Sequence, residues 1–139
     1  MAISARNQLN VAITEVKTGA VNSLVTAKLK GGEILKATVT TDSEKNLGLK
    51  AGLEAVFLFK ASSVIVSCDE SLKLSATNQI KGVVKSVVDG SVNSEVIIDA
   101  NGDEIGAIIT KESAKKLALK AGDKATAIIK ATNIIVGVR

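Results

Sequence analysis

Apolar and polar residues alternate along most of this chain with a period near two, and the pattern is laid down twice. Leu9, Val11, Ile13 and Val16 mark a first strand, and Val21, Leu24 or Val25, Ala27 and Leu29 a second. A turn at 17–19 separates them, and Gly31 with Gly32 ends the second. A third strand covers 34–40. The apolar spacing then lengthens, predicting a short helix over 42–49 with Leu47 and Leu49 on its apolar side. Thr41 and Glu44 have the spacing of a capping box, and Gly52 breaks the helix. Strands at 56–60 and 64–66 complete the unit. The second half reads the same way: strands at 80–88, 92–99 and 104–110, a helix at 112–119, strands at 125–130 and 134–138. Three strands, a helix and two strands is the order of a five-stranded Greek-key barrel of the OB type. The expected fold class is therefore mainly all-β: two tandem OB-like five-stranded barrels, each with one short helix.

The two halves also share residues. SARNQ at 4–8 returns as SATNQ at 75–79, GAVNS at 19–23 as GSVNS at 90–94, TTDS at 40–43 as TKES at 110–113, and LKAG at 49–52 as LKAG at 119–122. Lys60-Ala61 returns as Lys130-Ala131. The offset is 71 up to Gly31/Gly102 and 70 beyond, with 25 identities in 62 aligned pairs, which makes duplication the economical explanation. The expected domains are 1–67 and 74–139, joined by a polar link. Units this small bury only about 60% of their unfolded surface. Yet 46% of the chain is hydrophobic, and Phe57 and Phe59 are its only aromatic residues. That much aliphatic surface predicts packing of the repeats on each other and on further copies, hence an oligomer.

Charge and cysteine content narrow the setting. The net charge of +4 is spread over scattered lysines, favouring anionic partners without a basic block for nucleic acid. Cys68 is the single cysteine, so no internal disulfide forms, as suits a reducing compartment. No apolar run reaches membrane-spanning length and the first residues lack the order of a secretory leader, so a soluble cytoplasmic protein with no membrane partner is expected.

Candidate chemistry is limited by what is missing. Without histidine, tyrosine or tryptophan, and with one cysteine, neither a transition-metal site nor an activated nucleophile is supported, and no phosphate-loop or nucleophile-elbow pattern occurs. An enzyme is not expected. Both repeats instead keep hydrogen-bond donors: Ser4, Arg6, Thr40, Ser43 and Lys60 in the first, Ser75, Thr110, Ser113 and Lys130 in the second. Thr40 and Ser43 fall where a strand enters a helix, whose free N–H groups favour an anion. A donor-only set suits a compact, fully deprotonated oxyanion and disfavours a protonated phosphate. Asp42, Glu44 and Glu112 must then point away. Each feature also has a plain reading: Thr40 and Ser43 as a helix cap and first-turn residue, 4–8 as a strand entry, Lys60 as a solvated strand end.

Taken together and repeated, these motifs resemble the molbindins, cytoplasmic proteins built from the Mop domain that bind molybdate and tungstate. The resemblance runs over nearly the whole chain and is that of a two-domain member. It implies OB-type barrels assembled as a homotrimer with six domains, and oxyanion sites between domains. No cofactor is implied, only molybdate or tungstate as ligand for storage and homeostasis. It further implies that Ser4, Arg6, Lys60 and the backbone at Ala61 hold the anion from one domain, with Thr40 and Ser43 supplied by a neighbour. The second set is Ser75, Thr77, Lys130 and Ala131 with Thr110 and Ser113. A further axial site near the GAVNS loop falls on Asn22, Ser23, Asn93 and Ser94.

Thr77 stands where the first repeat has Arg6. A threonine offers one neutral donor in place of a charged fork. Charge-assisted bonds contribute roughly 1.5–3 kcal/mol, so the Thr77 site is expected to bind about tenfold or more weakly. Glu95 in place of Leu24 is a second difference between the halves. Two other functions remain open. An OB-type nucleic-acid module needs aromatic platforms, and only Phe57 and Phe59 are available, with the non-aromatic Ala127 and Ile129 at the matching positions of the second repeat. An anion-responsive regulatory protein would need a separate partner to carry its output.

Overall fold

The computed structural model describes residues 3–139; Met1 and Ala2, at the start of the first expected domain, lie outside the described residues. The strands of the first half are β1 (Asn7–Thr18), β2 (Asn22–Leu29), β3 (Ile34–Thr40), β4 (Glu54–Phe59) and β5 (Ile65–Ser67). The second half has β6 (Asn78–Asp89), β7 (Asn93–Ala100), β8 (Asp103–Thr110), β9 (Lys124–Ile129) and β10 (Ile135–Gly137). Helix α1 (Thr41–Leu47) follows β3, and α2 (Lys111–Leu117) follows β8. The fold is mainly β, with two curled five-stranded antiparallel sheets and one short helix to each, as the alternation predicts.

Membership of the sheets differs from the expectation that each repeat closes on its own fifth strand. The sheet orders are β10-β4-β1-β2-β3 and β5-β9-β6-β7-β8. Val136 pairs with Phe57, and Val66 pairs with Ala127, so the halves exchange their last strands. Local alternation cannot reveal this, because a three-residue strand looks the same whichever β-edge receives it. The exchange joins the apolar faces into one core. Val25, Leu29, Leu35, Phe57 and Phe59 belong to the same buried cluster as Val96, Ile98, Ile105, Ala127 and Ile129.

Two local corrections have plain causes. The helices begin earlier than 42 and 112 and end sooner than 49 and 119. Thr40, not Thr41, caps α1: its hydroxyl accepts the Ser43 N–H at 3.0 Å. Thr41 is buried instead and donates its hydroxyl to the Gly19 carbonyl at 2.8 Å. The helix stops at Gly48, in the left-handed region at φ 65°, well before Gly52. In β1 the register slips between Ile13 and Glu15. This bulge shifts the inward phase, which is why Leu9, Val11 and Ile13 are followed inward by Val16 rather than by residue 15.

Candidate anion-binding site

The donors of each half fall into two groups, held apart by the sheet. Ser4 and Arg6 precede β1, and the Asn7–Phe59 pair places Arg6 beside Lys60 at the end of β4. Gln8 fixes this segment by donating its side-chain amide to the carbonyls of Ile3 and Ala5, at 3.1 and 2.9 Å. Ala61 is buried at the start of a 3₁₀ turn, Ala61–Ser63, that packs on β8. The same arrangement recurs at Ser75, Thr77, Lys130 and Ala131: Asn78 pairs with Ile129, and Gln79 donates to the carbonyls of Leu74 and Ala76. The turn Ala131–Asn133 packs on β3.

Thr40 and Ser43 lie elsewhere. Thr40 pairs with Asn22, and Thr18 with Ser23, so they sit at the far end of the long strand β1. Twelve residues of strand span about 40 Å at roughly 3.3 Å each. One repeat therefore cannot bring its own two groups together. At each helix start the threonine hydroxyl donates to the serine hydroxyl at 2.8 Å, in Thr40–Ser43 and in Thr110–Ser113 alike. That bond leaves the O–H of Ser43 and of Ser113 directed elsewhere, available to an acceptor. The cap reading and the donor reading are thus compatible.

The halves meet through two buried asparagines that the sequence reading did not single out. Asn7 donates to the Gly106 carbonyl at 2.8 Å and accepts the Gly106 N–H at 2.7 Å. Asn78 makes the same pair of bonds to Lys36, both at 2.8 Å. Each amide acts as one rung of a β-ladder, fixing the segment before β1 on β8 and that before β6 on β3. Arg6 then lies over Gly106, and its Nε donates to Glu95 at 3.4 Å. Glu95 pairs with Ile108, two positions before Thr110 on the same strand. Arg6 thus leans toward the helix start of the other half.

The axial candidates divide. Asn22 and Asn93 are exposed, whereas Ser23 and Ser94 are buried and donate at 2.6 Å to Glu44 and Asp89. Bonds from Ser23 and then Thr18 hold the Glu44 carboxyl below its ordinary pKa. Glu44 is thereby turned toward β1 and β2 and occupies the hydroxyl of Ser23. A cleft of about 770 Å³ is lined by Lys28, Lys30, Glu54 and Arg139 among others and contains none of the expected donors. Ser4, Arg6, Lys60, Ser75, Thr77 and Lys130 are on open surface instead.

A family model described as the TOBE domain matches residues 3–66 and again 74–136. The chain belongs to the TOBE family. Among solved structures, this TOBE chain is similar to the cytoplasmic molybdate-binding protein ModG in a form with molybdate bound, at a TM-score of 0.96 and 44% identity, covering 100% of both chains. It is 40% identical over 137 residues to the molybdenum-pterin-binding protein MopA of Rhodobacter capsulatus, covering 97% of this chain and 52% of that protein. It is 36% identical over 139 residues to the molybdenum transport protein ModE of Azotobacter vinelandii, covering 99% and 52%. The chain thus spans about half the length of the curated relatives it matches. Within the tandem TOBE domains the donor positions recur with one exception, Arg6 against Thr77.

Proposed function

We propose that this chain is a non-catalytic, cytoplasmic binding protein for molybdate or tungstate, taking up the dianion reversibly for storage and homeostasis. The observation that carries this reading is the full-length likeness to ModG with molybdate bound. The chemistry of the donors agrees with it. Ser4, Arg6, Lys60 and the N–H near Ala61 offer hydrogen atoms and positive charge, and the hydroxyls of a Thr-x-x-Ser helix start complete the set from a neighbouring domain. Ser75, Thr77, Lys130, Ala131 and their complement form the second class. A tetrahedral dianion accepts at every oxygen, while a protonated phosphate would turn an O–H against a donor.

The neighbour is supplied by assembly, and a homotrimer is the proposed state. Apolar residues remain exposed at matching positions of both repeats: Val21 and Val92 at 73% and 70%, Ile65 and Ile135 at 58% and 65%. Recurrent exposed aliphatic side chains suit a repeated interface. Calorimetric titration with molybdate, with sulfate and phosphate as controls, on protein of measured mass tests the reading. Tight uptake of molybdate with sulfate ignored is expected, and absence of heat and of competition overturns it. Arg6→Ala should weaken the first class about tenfold or more with the assembly intact; unchanged affinity removes Arg6 from the site.

One observation favours an additional regulatory use: the chain is 31% identical over 135 residues to about half of the DNA-binding transcriptional dual regulator ModE of Escherichia coli. Capture of a partner from extract only when molybdate is present would support it, and identical capture with and without the anion would dismiss it.

A further inference from the structure

The two halves differ at three neighbouring positions, and the differences compensate. In the first locus Arg6 crosses Gly106 and meets Glu95. A Cβ on Gly106 would stand 3.1 Å from Cγ of Arg6, 3.3 Å from Nε and 3.4 Å from Cζ. The arginine thus fills the space a side chain at position 106 would enter. The paired amide bonds of Asn7 to Gly106 and of Asn78 to Lys36 make these loci equivalent. At the second locus, Thr77 replaces Arg6, Lys36 replaces Gly106 and Leu24 replaces Glu95.

Thr77 is too short to cross the strand, which frees the path taken by the arginine in the other half. The stem of Lys36 begins in that path. Lys36 is half-buried, and among the described residues its ammonium has no ion pair and no hydrogen bond. We propose that Lys36 supplies to the second oxyanion site the positive charge that Arg6 supplies to the first. The inference rests on the oxyanion reading above.

The charge balance sharpens it. Arg6 comes with Glu95, a carboxylate 3.4 Å from its Nε, so its charge is already matched before a ligand arrives. Lys36 comes with Leu24, so the second locus carries an uncompensated cation beside an apolar side chain. Replacing Arg6 by Thr77 therefore moves the charge from one strand to the next rather than deleting it. What changes is geometry: a planar fork becomes a compact ammonium with rotatable donors. Both classes of site fill, and they differ in their contacts. The expectation of a weaker site at Thr77, drawn from that residue alone, gives way to one that keeps its charge.

Molybdate titrations of wild type, Lys36→Met, Lys36→Arg and Arg6→Ala test this, with thermal melting to confirm folding. Lys36 holds Asn78 through its backbone, so exchanging its side chain leaves that contact in place. Two classes are expected in wild type. Lys36→Met should weaken one class tenfold or more and spare the other, Lys36→Arg should keep both, and Arg6→Ala should weaken the class that Lys36→Met spares. A wild-type titration in both classes of Lys36→Met overturns the proposal while leaving the oxyanion reading standing. So does a single wild-type class abolished by Arg6→Ala. No uptake by wild type overturns both. A rebuilt locus gives an independent check: Leu24→Glu, Lys36→Gly and Thr77→Arg together should merge the two classes into one, whereas Thr77→Arg alone should not. Merging by Thr77→Arg alone would count against Lys36.

Discussion

Single side chains decide how the halves are joined and how the candidate donors are presented. Asn7 and Asn78 are 2% and 1% exposed, and each satisfies the backbone N–H and carbonyl of one residue on the other half. Asn7→Ala would leave the Gly106 N–H and carbonyl buried without partners. A loss of about 2–4 kcal/mol is expected, measured by denaturant unfolding; a loss under 0.5 kcal/mol would mean that water replaces the amide. Ser23 offers a second prediction. Its hydroxyl and that of Thr18 depress the Glu44 pKa, so this group stabilises the fold above the ordinary glutamate range and ceases to as pH falls through the lowered value. Ser23→Ala should raise the Glu44 pKa in a carboxyl-detected NMR titration, and no movement would show that another contact holds it. The sequence made the SARN and SATN motifs visible because they recur. It could not tell that Asn7 is structural and Arg6 outward-facing, since that depends on which strand lies opposite.

At the level of elements, alternation located the long strands because one of their faces is buried and the other is not, whereas β4, buried all along Ala55–Phe59, is an unbroken apolar run. Boundaries were less legible where a side chain had two possible partners. Glu44 has the spacing to cap α1, yet it is engaged by Thr18 and Ser23, and Thr40 takes the cap. The two helices also end differently. Gly48 adopts φ 65° at no steric cost, while its counterpart Ala118 is held at φ 50°. Ala118→Gly should therefore stabilise the protein by roughly 0.5–1 kcal/mol, the relief of left-handed strain exceeding the added entropy of the unfolded chain. An increase in the denaturation midpoint checks this; a decrease would place the strain elsewhere.

For the molecule as a whole, the exchanged strands mean that a repeat in sequence is not a closed unit in space. A fragment of residues 1–67 ends in β5, whose pairing edge, β9, belongs to the other half. Its own β4 edge, meanwhile, awaits β10. The fragment should form dimers that trade this strand between copies, and mixing it with residues 74–139 should favour the mixed pair. Light scattering distinguishes these from a stable folded monomer, which would show that β5 can turn back onto β4. The duplication predicted two similar halves but not this exchange, because both arrangements bury the same apolar positions.

The exchange also imposes an order on synthesis. Phe57 is made well before its neighbour Val136, so the first sheet waits with an open edge while the whole second half is translated. Neither half can finish before the other is nearly complete. A chain interrupted anywhere from β6 to β9 therefore contains two unfinished sheets rather than one sound and one missing.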